Sequence, residues 1–401
     1  MLLSVNMCIV SQKEEGMRKQ VGIIGGAILF AVVCSSTLWS QGFLKLGPRA
    51  LGLAGAYVAA ADDSTAVYWN PAGVSYYLRN DITFGGGLYL ADEGEFIDQV
   101  NEFLSLDVYQ GESYQRAINL LHNLAQEEIN IKGQGSMGLL VTGSAWGFSI
   151  LETAHALIMP QIDLDNIDLN PASENFLVNN QSSLRFVGLR TREYILSLSY
   201  PFLVDNLFVG INLKYIKGQT YFLSKNLFTE LLGQEVEARG LVDEALEQNR
   251  ISDSAFSIDF GALLELGSYG RLGIVGRNLR KPTFKLADGE ELQLDSQWRA
   301  GLAIYPIPSL LISLDVDLKE NHLGRENPRS QELAFGLEKS FLDYSLFVRG
   351  GGCVNLKREN KRLAYAAGFG FRVKKVFFNI AVLARPGWDE VGAAAEIAVR
   401  F

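Results

Sequence analysis

Beyond Arg79 the chain alternates apolar and polar side chains in stretches of roughly ten residues, the period-two signature of strands whose two faces meet different surroundings. The alternation predicts fourteen strands, at 81–91, 134–143, 145–158, 190–200, 206–218, 254–267, 270–280, 296–305, 309–318, 331–340, 342–353, 362–372, 375–385 and 391–401. Tight turns fall near Ser144, Val204-Asp205, Ser268-Tyr269, Pro306 to Pro308, Phe341 and Lys374. The opposite connections are long, notably 92–133, 159–189, 219–253 and 281–295. Short turns alternating with long loops predict an all-β, transmembrane up-and-down antiparallel barrel. An even strand count puts both termini on the periplasmic side.

Individual strands show which face is which. In the last strand Ala395, Ile397, Val399 and Phe401 share one face, and Glu396, Ala398 and Arg400 the other. The same split separates Tyr194, Leu196, Leu198 and Tyr200 from Ser197 and Ser199, and Ile312, Leu314 and Val316 from Ser313, Asp315 and Asp317. A soluble β-sandwich or propeller also alternates, but its core would strand Asp315 and Asp317 without partners, whereas a polar lumen accepts them. Strands near ten residues long, the terminal aromatic Phe401 and the lack of a fixed 40-to-50-residue repeat favour the membrane barrel.

Two long connections switch to helical spacing. Residues 95–129 place Phe96, Val100, Phe103, Leu104, Ile118, Leu121, Leu124 and Ala125 on one face, with a break near Gly111. Residues 226–248 do the same with Leu227, Phe228, Leu231, Leu232, Val236, Leu241 and Leu246. These helices read as a cap over the barrel mouth or as solvated loop helices packed on each other.

The N-terminus adds a destination. Met17-Arg18-Lys19, an apolar run from Val21 to Cys34 and the small residues Ser35, Ser36, Thr37 and Ser40 have the order of a secretory signal peptide, assigned to residues 1–40, with Met17 as an alternative start. Residues 41–79 are then expected to form a plug and 80–401 the barrel. Cys8 and Cys34 fall in the leader, so Cys353 is left as a packed thiol without a partner for an internal disulfide.

Between the leader and the first strand lies GPRALGLAGAYVAAADDSTAVYWNPAG, Gly47 to Gly73, too rich in Gly and Ala for a clean strand or a long amphipathic helix. It reads as a short folded plug with a hydrogen-bonded turn at Asp62-Asp63 and an exit turn at Asn70-Pro71-Ala72. This segment resembles the N-terminal segment of the FadL-like and PorV-like outer-membrane proteins. The resemblance is specific over these 27 residues and otherwise rests on the barrel pattern alone. For the fatty-acid transporters of that group it implies a fourteen-stranded barrel closed by an N-terminal hatch ending in Asn-Pro-Ala, here Asn70, Pro71 and Ala72. It further implies passage of a hydrophobic molecule such as a long-chain fatty acid, with release through hatch rearrangement or a sidewall opening. PorV-like relatives imply an alternative, a binding or secretion accessory, and a structural surface protein is a third.

Composition narrows the chemistry. At 48% hydrophobic residues, with no apolar run of helical-span length after the leader, the apolar surface is spread over strands. A net charge of −9 without a Lys/Arg cluster argues against nucleic acid as a partner. His122, His155 and His322 are too scattered for a metal site, and no nucleophile and base stand at catalytic spacing, so neither enzyme nor cofactor is expected. Gly85–Gly87 and Gly350–Gly352 lie in strands and suit bending or close approach of the plug. Lys214, Arg277, Arg299 and Arg349 fall on inward positions, where they are candidates for a ligand carboxylate or for pairing with Asp259, Asp315, Glu338 or Glu396. Outer-membrane lipid, and the barrel assembly machinery acting on the strand that ends in Phe401, complete the expected partners.

Overall fold

The computed structural model describes residues 43–401 except 77–79, 107–110, 126–129, 167–179, 203–205, 232–233, 235, 248–249, 322–329 and 359–360. The expected leader, with Cys8, Cys34 and Met17, and His322 lie outside the described residues.

Among the described residues sixteen strands run in chain order: β1 (Asp81–Glu93), β2 (Asn130–Thr142), β3 (Trp146–Gln161), β4 (Ser183–Pro201), β5 (Leu207–Asn226), β6 (Ile251–Glu265), β7 (Gly270–Arg277), β8 (Thr283–Lys285), β9 (Glu291–Gln293), β10 (Gln297–Ile307), β11 (Leu310–Asp317), β12 (Glu332–Phe341), β13 (Leu346–Asn355), β14 (Ala364–Val373), β15 (Val376–Ala384) and β16 (Glu390–Arg400). Fourteen of them close into one antiparallel barrel, each beside its neighbour in sequence, with β1 sealed against β16; β8 and β9 form a separate hairpin. All fourteen expected barrel strands are present. The turn after β12 departs from expectation: Leu342, Asp343 and Tyr344 all take positive φ, and Ser345 N–H donates to the Phe341 carbonyl, so β13 starts at Leu346.

The alternation that forms the strands also sorts their surroundings. Outward residues such as Phe84, Leu139, Leu196, Leu213, Phe335, Phe369, Ile380 and Val382 are exposed, a continuous apolar band that water would not tolerate and lipid does. Inward residues Ser197, Asp259, Arg299, Asp315 and Asp317 are buried. Among the described residues no helix is long and apolar enough to cross a membrane.

The wall is uneven. Strands β3, β4 and β5 run 16, 19 and 20 residues, against 8 to 13 for most of the others, and project beyond the apolar band on the long-loop side. There they meet helices α3 (Phe96–Ser105), α4 (Gly111–Leu124) and α5 (Ala238–Glu247) and a π turn at Leu227–Leu231. Inside the barrel lies the segment before β1. It is folded as two short helices, α1 (Pro48–Gly52) and α2 (Ala66–Trp69), and a 3-10 turn at Pro71–Val74.

Candidate functional site

The lumen is occupied by the plug, which is buried almost throughout from Phe43 to Ser75. Glycine makes room for it. Gly147, Gly210, Gly261, Gly273, Gly301, Gly336, Gly351 and Gly368, each on a different strand, face inward against plug atoms. A Cβ on Gly210 would stand 2.5 Å from the Ala72 nitrogen, and one on Gly336 2.7 Å from the Leu53 Cβ. The expected close approach at Gly350–Gly352 is real at Gly351, which abuts Leu53 and Ala54, whereas Gly85–Gly87 meet neighbouring strands instead.

Polar contacts fix the plug where glycine admits it. Asp315 accepts the Tyr57 and Val58 backbone N–H groups at 2.9 and 2.8 Å, so a wall carboxylate takes the place of secondary-structure partners. Asn70 donates from Nδ2 to the Val58 and Ala262 carbonyls, both at 3.1 Å, and its Oδ1 accepts from Ala72 N. The motif residue thus caps its own turn and joins plug to β6. Pro71 and Ala72 lie against Gly210. Arg49 reaches Asp62 at 2.5 Å and Glu338 at 2.9 Å. Asp63 accepts from the Tyr57 hydroxyl at 2.7 Å, from the Thr65 backbone N–H at 3.1 Å and from Arg400 at 3.4 Å. Burial alone would raise the Asp63 carboxyl, but Arg400 and Arg49 outweigh it and hold it below the usual range. Tyr68, pushed up by burial to about 12, stays neutral under Arg277.

The four expected lumen cations all point inward and are buried. Lys214 lies 2.9 Å from Asp259 and 2.6 Å from the Asn278 amide oxygen. Arg277 stacks 3.6 Å over the Tyr68 ring of the plug. Arg299 binds Asp317 at 2.6 Å and Glu332 at 3.1 Å, and lies 4.4 Å from the Phe43 ring centroid. Arg349 binds Glu338 at 2.6 Å and Asn379 at 2.8 Å. Of the acids expected beside them, Asp259 and Glu338 are partners, Glu396 accepts from Asn379, and Asp315 serves the plug backbone.

Two different environments flank the plug. On the short-turn side a cavity of about 690 Å³ is lined by Arg49, Asp62, Asp63, Arg271, Glu338 and Arg400 among others, so both signs of charge face it. Arg271 is held there between the Tyr76 and Tyr305 rings, 4.5 and 5.2 Å from their centroids, and pairs with Asp62 at 3.2 Å. The alternation placed Arg400 inward, but Arg49 and Arg271 were not singled out from the sequence, since their partners Glu338 and Asp62 lie 289 and 209 positions away. On the long-loop side Phe96, Phe103, Leu121, Phe186, Leu241, Phe284 and their neighbours form one apolar cluster, built from α3, α4 and α5, the upper parts of β3 to β5 and the β8–β9 hairpin. Asn101 ties α3 to Val236 by a reciprocal pair of hydrogen bonds at 3.2 and 2.9 Å.

The barrel wall is incomplete beside this cluster. β7 stops at Arg277, so β6 pairs with it only from Phe260 to Glu265 although β6 begins at Ile251. The chain then turns inward: Phe284 lies on Gly218, and Lys285 O accepts from Thr220 Oγ1 at 2.6 Å. Beyond the Leu279 N–H donation to Ile258 O, the outer half of β6 has no ladder partner on that side among the described residues.

Residues 67–317, from α2 to the end of β11, match the family described as "F plasmid transfer operon, TraF, protein". The chain belongs to that family. Among solved structures this TraF-family barrel is similar to the Ralstonia pickettii toluene transporter TbuX, with a TM-score of 0.52 and 12% identity over 90% of this chain and 100% of that one. It is similar as well to a Pseudomonas aeruginosa FadL homologue, with a TM-score of 0.52 and 10% identity over 90% and 99% of the two chains. The CymD monoaromatic hydrocarbon channel gives 0.50 and 11% over 90% and 98%. The fold is therefore FadL-like. No curated protein sequence matches the chain.

Proposed function

We propose that this barrel carries hydrophobic molecules across the outer membrane, entering at the apolar cluster under the cap and leaving sideways through the wall beside β6. The observation that carries the reading is the gap above Phe260, near which the β8–β9 hairpin packs with Phe284 on Gly218 of β5, its Phe284, Leu286, Leu292 and Leu294 belonging to the cap's own cluster. A greasy route thus runs from the mouth towards lipid without crossing the charged plug, and an apolar solute finds an alternative solvent at each stage. The fold shared with proteins described as a toluene transporter and a monoaromatic hydrocarbon channel supports hydrophobic cargo. Long-chain fatty acid and small aromatic hydrocarbon are the two cargo classes to compare. A carboxylate-bearing cargo would meet Arg277 or Arg299 only by competing with Tyr68, Asp317 and Glu332. This reading has residues 1–40 removed as a signal peptide, both termini at the periplasmic, short-turn end, and the last strand with Phe401 recognised by the barrel assembly machinery.

A second reading is favoured by the filled lumen and by the family description: an outer-membrane accessory that presents its long-loop face to other proteins, PorV-like in role and tied to a transfer operon, without passage of a solute. Liposomes carrying the barrel separate the two. Transport predicts faster uptake of toluene or of a fluorescent long-chain fatty acid than in empty liposomes, and faster again with Phe284→Ala, which loosens the packing of the hairpin on β5. Uptake equal to that of empty liposomes for both cargoes, with a folded barrel, would leave the accessory reading.

A further inference from the structure

The outward face of the tall wall carries charge just above its apolar band. One row across β2 to β6 reads Met137, Glu152, Arg192, Lys217 and Ser254 in register. The row beneath it is Ile150, Tyr194, Tyr215 and Phe256, whose three rings lie against each other at 6.2 and 5.0 Å. Aromatic rows of this kind mark the level at which acyl chains give way to headgroups. Below it the same face continues with exposed Leu196, Leu213, Leu198 and Ile211.

Three cations therefore stand at headgroup height: Arg190, Arg192 and Lys217. Arg192 and Lys217 are direct cross-strand partners on one face, an arrangement that destabilises a sheet when the charges are alike. Among the described residues one carboxylate pairs with the group. Glu152 accepts from Arg190 Nε at 3.2 Å and also binds Arg192, while Lys217 has no carboxylate within ion-pair distance among the described residues and lies 6.0 Å from the Tyr215 ring. Arg190 and Arg192 keep 30% and 48% of their side-chain surface exposed, so their remaining N–H groups are accessible from the membrane side. The patch has net positive charge, planar forks suited to phosphate oxygens and an apolar wall directly beneath.

We propose that Arg190, Arg192 and Lys217 bind the phosphate of an anionic phospholipid in the leaflet on the long-loop side, with its acyl chains along Leu196, Leu198, Leu213 and Ile211. A lipid, rather than free phosphate, is the occupant because the cations sit flush above the apolar band instead of in a polar cavity. The phosphate relieves the repulsion between Arg192 and Lys217 that Glu152 leaves uncompensated.

The test titrates delipidated barrel in neutral detergent with phosphatidylglycerol or phosphatidylcholine and reads bound lipid by native mass spectrometry. The wild type should favour phosphatidylglycerol by on the order of tenfold, the scale expected of a few cations near a membrane surface. Arg192→Gln with Lys217→Gln should bring the two lipids to near equality while the unheated protein keeps its folded mobility on gels. If that double variant does not fold, Lys217→Gln alone decides, with a smaller loss of preference expected. Equal binding in the wild type, or a preference that survives the substitutions, overturns the proposal. Displacement of phosphatidylglycerol by inorganic phosphate at equal concentration overturns the lipid as occupant.

Discussion

The guanidinium of Arg49 in the plug forks onto Glu338 of β12, with Nε and Nη2 each 2.9 Å from a carboxylate oxygen. Glu338 in turn accepts from Arg349 at 2.6 Å, so one carboxylate joins a plug cation to a wall cation. Removing one member leaves buried charge uncompensated, which costs about 3–5 kcal/mol. Arg49→Ala should therefore loosen the plug, read as faster chymotryptic cleavage at Tyr57 or Trp69 in an otherwise folded barrel. Arg49→Lys should rescue it only in part, because a point charge cannot make the fork. Cleavage unchanged in both variants would show that the fork does not hold the plug.

The inward glycines give a second expectation. Gly210→Val puts side-chain atoms onto the Pro71-Ala72 backbone, and the plug rather than the strand is the softer element. The variant should keep the gel mobility of the barrel yet expose Asn70 and its neighbours to protease. Gly240→Ala, in α5 with open space around its position, should instead add up to about 1 kcal/mol to the helix and leave the plug untouched.

Asn70 supplies a third. Its amide makes two donations and one acceptance, each worth about 1 kcal/mol net. Asn70→Ala should cost roughly 2–3 kcal/mol of plug seating. Asn70→Asp should cost more, since a carboxylate cannot donate and would face the Val58 and Ala262 carbonyls with like partial charge. Equal effects of the two variants, measured by denaturant-dependent proteolysis of the plug, would argue against the donations as the source.

Acid supplies a fourth. Asp63 faces Arg49 and the Tyr57 hydroxyl within the plug and Arg400, Asp81 and Glu396 from the wall. Its carboxyl titrates below the ordinary Asp value of 3.8, so its share of stability is complete above that pH and fades as pH falls through the lower folded value. The plug should stay protease-resistant at pH 5 and loosen below about pH 4, and Asp63→Asn should lower resistance at pH 7 while flattening that acid step. A wild-type transition centred near neutrality would assign it to other groups.

The barrel was legible because lipid outside and polar groups inside enforce strict alternation, as in β16, where Ala395, Ile397 and Val399 are outward and Glu396 and Ala398 inward. Where the outside is not lipid, the signal fades. Ser183 to Leu189 of β4 is buried on both faces, beneath the cap on one side and around the lumen on the other; the expected strand began only at Arg190. The premature end of β7 is invisible for a related reason, since residues 278–280 remain apolar and charged in strand-like order while the chain turns into the lumen. Of the inward glycines against which the Gly/Ala-rich segment packs, only Gly351 fell where the sequence suggested close approach, because a lone glycine in a strand does not say which of its possible neighbours it makes room for. The ion pairs were not readable: Arg49 and Glu338 are 289 positions apart, and alternation says which side a charge faces but not what it meets.

The plug precedes β1 in the chain, yet its carboxylate, arginine and amide partners sit mainly on strands made last, and Arg400, one residue from the end, closes on both Asp63 and Asp81. The plug lies inside a ring that β16 completes by joining β1. The strand that closes the ring is thus also one that grips the insert. Seating of the plug and closure of the wall therefore share contacts more than 300 positions apart in sequence, the kind that forms slowly.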